Sequence, residues 1–288
     1  MNALERLVAA ELSVPVDSPV AGLAAAIAAK HGEASRAVLF YGSCLREKQL
    51  DGSMLDFYLI VSDYRAAYDR RWLAVANRLI PPNVFYFEAG GLRAKYAVLS
   101  EADFHRLNGP EARNVSVWAR FAQPSRLAWV ADEEARRAVV AAVARATPTL
   151  LAAAVPVVGA TADPLDLWRG AFALTYSAEL RAERRGRAQS VVDMDLDRYR
   201  RFSQAAIEQA AGLNTKRRWG ARRLHGKALS VLRLAKASAT FAGGIDYIAW
   251  KINRHAGTDI QIKPWQRRWP LLAAISLLPR LLKSGAVR

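Results

Sequence analysis

The stretch Ala37-Val38-Leu39-Phe40-Tyr41-Gly42-Ser43 is followed, after a ten-residue gap, by Met54-Leu55-Asp56-Phe57-Tyr58-Leu59-Ile60-Val61. These two pieces decide how the N-terminal half is read. Arg36 to Tyr41 and Leu55 to Ser62 read as strands, and the first stops on a Gly-Ser pair. Ser43 to Gln49 suits a short helix. The second run carries one carboxylate, Asp56, near its start. The pattern is strand, Gly-Ser turn, short helix, then a strand with an acid. A Gly-Ser pair alone is most often an ordinary turn. At the start of a helix it lets an anion approach the backbone N–H groups, and the serine hydroxyl adds a donor. Arg46, one turn on, could reach the same anion. Asp56 alone reads more readily as an exposed turn aspartate, and Gly42-Ser43 upstream at this spacing tips the balance to a metal ligand. A carboxylate at the edge of a core is costly unless it binds a cation, and magnesium is commonly held by one or two carboxylates plus substrate phosphates.

Working outward, residues 1–31 read as two helices separated around Pro15, Asp17 and Pro19. Asp63 to Leu79 reads as one helix ending before Pro81-Pro82. Val84 to Glu88 and Arg93 to Leu99 flank Gly90-Gly91 as a β-hairpin. Ser100-Glu101-Ala102-Asp103 opens a helix with an acidic capping partner. Arg126 to Val130 supplies one more strand. Beyond Asp132 the pattern turns helical: Glu133–Ala146, Leu165–Arg185, Leu196–Ala211, Ala221–Phe241 and Ile245–His255. The expected fold is therefore an α/β domain with a mixed sheet in residues 1–131. A mainly helical domain in 132–262 and a basic amphipathic segment in 263–288 follow.

The 288-residue chain has a net charge of +16, and it is unevenly spread. Residues 1–131 hold 15 Lys+Arg against 13 Asp+Glu, whereas residues 132–288 hold 27 against 13. The second half is built to face something anionic: nucleic acid, an acidic membrane or a phosphorylated substrate. Cys44 is the only cysteine, which excludes an intrachain disulfide and fits a reducing compartment. The N-terminus lacks the basic-then-apolar pattern of a secretion signal. No stretch reads cleanly as a membrane span. Ala138 to Ala162 contains Arg145, Pro148 and Pro156, and Leu271 to Leu282 is too short. The four histidines form no metal-ligand spacing. Glu88 is a further strand carboxylate and a lesser candidate.

The nucleotidyltransferase superfamily shares the Gly-Ser turn and the acidic strand, with two acids two residues apart on that strand. Here position 58 is Tyr58, so the second acid is missing. Tyr41-Gly42-Ser43 with Met54-Leu55-Asp56-Phe57 resembles a narrower family that also has a single acid, the mitochondrial-type phosphatidate cytidylyltransferases (translocator assembly and maintenance proteins). Val84-Phe85-Tyr86-Phe87 and Lys95-Tyr96-Ala97-Val98-Leu99-Ser100 resemble that family's hairpin. Phe121 to Val130, with Gln123-Pro124, resembles its Arg-Leu-Gln-Lys-Pro-Val segment. Tyr176-Ser177-Ala178-Glu179-Leu180-Arg181 resembles its Tyr-Ser-Gly-Asp-Phe-Arg motif. The matches keep their order across residues 38–181.

The resemblance implies a nucleotidyltransferase-like fold and the reaction of CTP with phosphatidic acid to give CDP-diacylglycerol and pyrophosphate, with Mg2+ as cofactor. It implies Asp56 as the main metal ligand and Glu179 as a second acid and further metal ligand. The plainer reading of Glu179 is a surface ion pair with Arg181 or Arg184. Lys95 would balance phosphate charge, the alternative being an exposed strand lysine. Gly42, Ser43, Arg46, Tyr96 and Arg181 would bind substrate, and Ser100 is a possible helper. The family reading implies a cytoplasmic protein held peripherally at the inner face of the membrane.

The tail Lys263-Pro264-Trp265-Gln266-Arg267-Arg268-Trp269-Pro270 is basic and aromatic. Leu271, Ile275, Leu278 and Leu282 then share one helical face. This suits an anionic membrane surface, or a helix docked on the protein's own core. The tryptophans cluster with leucines rather than through the basic region, so nucleic acid is the less expected partner. The alternatives are a nucleotidyltransferase acting on nucleic acid or another phosphorylated acceptor, and an inactive membrane-associated relative.

Overall fold

A computed structural model describes residues 1–47, 53–159, 161, 163–179, 191–213, 215, 219–240, 261 and 263–264. Its centre is a five-stranded mixed sheet of β1 (Ser35–Tyr41), β2 (Met54–Val61), β3 (Asn83–Ala89), β4 (Leu92–Ser100) and β5 (Ser125–Val130), in the order β3-β4-β2-β1-β5. β2 and β4 are parallel, and the other neighbours are antiparallel. The expected α/β region followed by helices is what the chain forms. The hairpin turns where expected, with Gly90 at φ 58° and Gly91 at φ 75°. Positive φ at both central positions is what a tight two-residue β-turn of this hand requires.

β2 is the central strand, and both of its faces are covered. Leu55, Phe57, Leu59 and Val61 point to one side, with Val38, Phe40, Tyr96 and Val98, and pack with helix α2 (Ser18–Ala29) and α4 (Tyr64–Ala67). Tyr58 and Ile60 point to the other side, with Ala37, Leu39, Ala97 and Leu99. Doubly covered strands read as continuous apolar runs, which is why β2 shows no alternation. The second cluster continues without a break from the sheet into α8 (Glu133–Ala144), α9 (Ala146–Val158), α10 (Pro164–Ala178) and the Leu196–Ala211 helix. The helical part is thus packed on the sheet face that carries Asp56. Arg198, almost fully buried, adds an ion pair to Glu11 of α1 (Ala3–Leu12) and donates to the Ala122 carbonyl at 3.0 Å.

Several helices differ from expectation. The Asp63–Leu79 segment is two helices, α4 and α5 (Arg71–Leu79). Tyr68 is extended between them, at φ −133° and ψ 127°. Its ring packs against His31 and Phe85, and Asn77 donates to its hydroxyl at 3.3 Å, so burial of one side chain overrides a continuous helix. The helix expected to end at Ala146 stops at Ala144, and α9 begins at once, with Arg145 at the joint held to Glu111 at 2.6 Å. Together Glu133–Val158 is long and apolar enough to cross a membrane, yet 72 % of its most apolar window is buried inside the protein. The helix expected to run to Arg185 ends at Ala178. There the Trp219–Thr240 helix crosses so closely that a Cβ on Gly226 would lie 2.2 Å from the Ala178 carbonyl oxygen. The expected Ile245–His255 helix and the amphipathic tail from Trp265 lie outside the described residues.

The Trp219–Thr240 helix is tied to the loop between α5 and β3 by side-chain donors. Lys236 donates to the carbonyls of Ile80 and, at 2.8 Å, Pro82; Arg233 Nε donates to Pro81 O at 2.8 Å. Burial, aided by the neighbouring Arg233 charge, pulls the Lys236 amine down from 10.5 to about 7. The unfolded chain keeps that proton up to about pH 10.5, while the folded chain releases it near pH 7. Between these values the unfolded state binds more protons, so stability rises with pH across the window. Urea denaturation near pH 7 and near pH 9 should show this rise, on the order of 2–3 kcal/mol for this one group. Lys236→Met should flatten it; an unchanged slope in that variant would exclude Lys236 as the source.

Candidate active site on the sheet face

β1 ends at Tyr41, and the chain turns at Gly42 into α3 (Ser43–Glu47). The β1–β2 register sets Tyr41 opposite Asp56. Gly42 has φ +94°, and a Cβ there would lie 2.8 Å from Asp56 Oδ2. The glycine is therefore required by the acid as well as by the turn. Sequence reasoning reached Gly42 through phosphate approach alone and missed this contact.

The parallel β2–β4 register brings Lys95 beside Asp56. Lys95 Nζ lies 2.9 Å from Asp56 Oδ1, with the two side chains 28 % and 17 % exposed. At this burial the ion pair is only partly screened by solvent. Tyr58, at the position of the missing second acid, is buried in an aromatic wall with Tyr41 and Phe121, at ring-centroid distances of 5.3 and 5.1 Å.

Arg120, from the short helix α7 (Trp118–Phe121), lies against this wall. Its Nη1 donates to the Ser116 carbonyl and lies 3.8 Å from Glu179 Oε1. Glu179 is extended at the end of α10 (φ −117°, ψ 156°) and is only 7 % exposed. This corrects the reading of Glu179 as a surface ion pair. Burial alone would push the Arg120 guanidinium down. The Glu179 carboxylate first, then the Tyr58 and Tyr41 phenols and the Asp56 carboxylate, more than offset that and hold it above its ordinary value. Arg120 therefore links the two acids electrostatically. Burial first, and then the Asp56 charge, drives the Tyr41 hydroxyl far above its usual range, so it stays protonated.

Asp56, Lys95, Gly42 and Ser43 thus gather at one end of one sheet face, and Glu179 approaches through Arg120. Arg120 itself was missed by sequence reasoning; its signal was its place three residues before the Gln123-Pro124 pair. Arg46 turns its Nη1 to Gln123 Oε1 at 3.0 Å. Tyr96 does not join the group. Its neighbour Lys95 faces the site, so the pleat sends Tyr96 to the opposite face. There it is 1 % exposed, with its hydroxyl 3.2 Å from His31 Nε2. Ser100 caps α6 (Glu101–Asn108) by accepting from Asp103 N, and Glu88 is exposed and paired with the Tyr86 hydroxyl. Arg181 lies outside the described residues.

Among the described residues no group of three or more His, Cys, Asp or Glu could hold a metal ion. A magnesium ion bound mainly by substrate phosphates needs no such cage, and the hard oxygens of the half-buried Asp56 suit it as the protein's donor. Both acids already face a cation, Asp56 with Lys95 at 2.9 Å and Glu179 with Arg120 at 3.8 Å. No protein-family model and no curated protein matched this chain.

Gly42→Ala tests the close approach directly. The new Cβ meets the Asp56 carboxylate, and the left-handed backbone strains any side chain. A loss of about 1–3 kcal/mol is expected in denaturant titrations. A variant as stable as the wild type would mean that the turn and Asp56 are not in contact.

Proposed function

We propose that this chain is a nucleotidyltransferase that joins CTP to phosphatidic acid, forming CDP-diacylglycerol and pyrophosphate at a membrane surface. The observation that carries the proposal is the Asp56–Lys95 pair beside the Gly42 turn, with the second buried acid, Glu179, reached through Arg120. The ordered resemblance across residues 38–181 supplies the substrates, and the single acid on β2 agrees with it.

In this reading Gly42 and Ser43 receive the triphosphate, and Lys95 neutralises part of its charge. Asp56 would hold Mg2+, which when bound neutralises the triphosphate and aligns it for attack. A phosphate oxygen of phosphatidic acid forms a bond to the α-phosphorus of CTP. The bond from that phosphorus to its bridging oxygen breaks, and pyrophosphate leaves with the electron pair. Arg120 supplies positive charge near the acids while Tyr41 remains a neutral donor.

Radiolabelled CTP, magnesium and phosphatidic acid vesicles should yield a labelled lipid and free pyrophosphate. Asp56→Asn should lower this rate by about 100-fold or more, with an unchanged circular dichroism spectrum. Absence of any labelled lipid from the wild-type chain, across varied metals and detergents, would overturn the reading.

A surface feature supports the membrane part of the proposal. On α5, Trp72, Val75 and Leu79 are 46, 57 and 73 % exposed. Their spacing of three and four places them on one helical face, and the exposed Arg71 and Arg78 flank it. An exposed apolar stripe with an indole and flanking guanidiniums suits the boundary between headgroups and acyl chains. The double variant W72S/L79S should sediment several-fold less with phosphatidylglycerol vesicles at constant salt. Equal sedimentation would remove α5 from the contact.

A further inference from the structure

Two guanidiniums from distant parts of the chain converge on Ser116. Arg120 Nη1 donates to its carbonyl, and Arg233 Nη1, from the Trp219–Thr240 helix, donates to its Oγ at 2.7 Å. Ser116 is itself fixed, since its Oγ donates to Asn114 Oδ1 at 2.6 Å. Arg233 Nε donates to Pro81 O, whereas its Nη2 is buried with no hydrogen-bond partner among the described residues. Lys236, one turn further along the same helix, carries an amine whose charge burial and the Arg233 guanidinium disfavour. The described carboxylate acting on both guanidiniums is Glu179.

This arrangement is expensive as it stands. A buried donor left unmade forfeits its hydration, and two neighbouring guanidiniums repel. Burial pushes Arg233 below its usual value; Glu179 and Tyr58 pull it back, and Arg120 pushes it down further. Such a cluster is relieved by an anion that offers several acceptor oxygens. Planar guanidinium forks match phosphate in this way, and the Ser116 anchor holds both forks in advance.

We propose that Arg120 and Arg233, anchored on Ser116, form a phosphate subsite that takes a phosphomonoester group next to the Asp56–Lys95 pair. In the cytidylyltransferase reading that group is the headgroup phosphate of the acceptor lipid, not the nucleotide triphosphate. The lipid assignment rests on that reading; the phosphate subsite rests on the guanidinium geometry alone.

Thermal unfolding and calorimetric titration of the full chain test this without requiring turnover. Inorganic phosphate and soluble dihexanoyl phosphatidic acid should each raise the melting temperature in a saturable way. Arg233→Gln should weaken both by about tenfold or more, and Arg233→Lys by less, because it keeps the charge but loses the fork. Affinity for CTP with magnesium should change by less than about twofold in both variants, since Arg233 lies outside the proposed triphosphate cradle. Should the Gln variant not fold, the wild-type titrations still decide: no saturable protection by phosphate overturns the subsite. A loss of CTP affinity equal to the loss of phosphatidic acid affinity overturns the acceptor assignment. Intact, Arg233-dependent phosphate binding in a chain that makes no labelled lipid would sink the cytidylyltransferase reading and leave the subsite standing.

Discussion

The pairing of Lys95 with Asp56 depends on the position of one strand. β2 lies between an antiparallel neighbour, β1, and a parallel one, β4. The first register puts the Gly42 turn against the Asp56 carboxylate, and the second puts Lys95 at its side. A slip of one residue in either would reverse the faces and send Asp56 among Val38, Phe40, Tyr96 and Val98, a buried apolar environment. The cost of burying a lone carboxylate there helps to fix the register, and the register builds the site.

The same face explains why the helical half is not a separate appendage. Its apolar side chains complete the cluster begun by Tyr58 and Ile60. Phe121 and Phe104 meet edge to face at 4.8 Å, and Phe121 meets Tyr58, so a continuous aromatic contact runs from the sheet into the helices. The charges carried into this interface are matched. Arg198 pairs with Glu11 and also stacks 4.4 Å from the Phe202 ring. Glu179 is matched with Arg120. Removing one member of such a pair is more damaging than never having had it, because the survivor stays buried and unmatched. Arg233, like Arg46, differs from these in leaving one buried donor unmade among the described residues.

Much of the sheet was legible in the sequence, because short-range chemistry fixes it. The apolar runs gave β1 and β2, Gly90-Gly91 gave the hairpin, and the Gly-Ser pair marked the turn before α3. Asp56 stood out as the charged residue in an apolar strand. Lys95 and Glu179 came from resemblance, and their settings did not follow from local pattern. Tyr96 came with Lys95 from the same resemblance, but the pleat places adjacent residues on opposite faces. The helix across Asp63–Leu79 was expected unbroken because periodicity does not reveal where a Tyr68 ring must go.

By itself, the sequence determined the strands, the turn, the uneven charge and a lone carboxylate in an apolar strand. Tertiary structure alone decided what surrounds that carboxylate. It ended α10 at Ala178, where another helix crosses at Gly226, and so turned Glu179 inward. It brought Arg120 and Arg233, 113 positions apart, onto one serine. These are consequences of packing between distant segments, which depend on the volume and direction of each side chain in three dimensions. No local spacing encodes them.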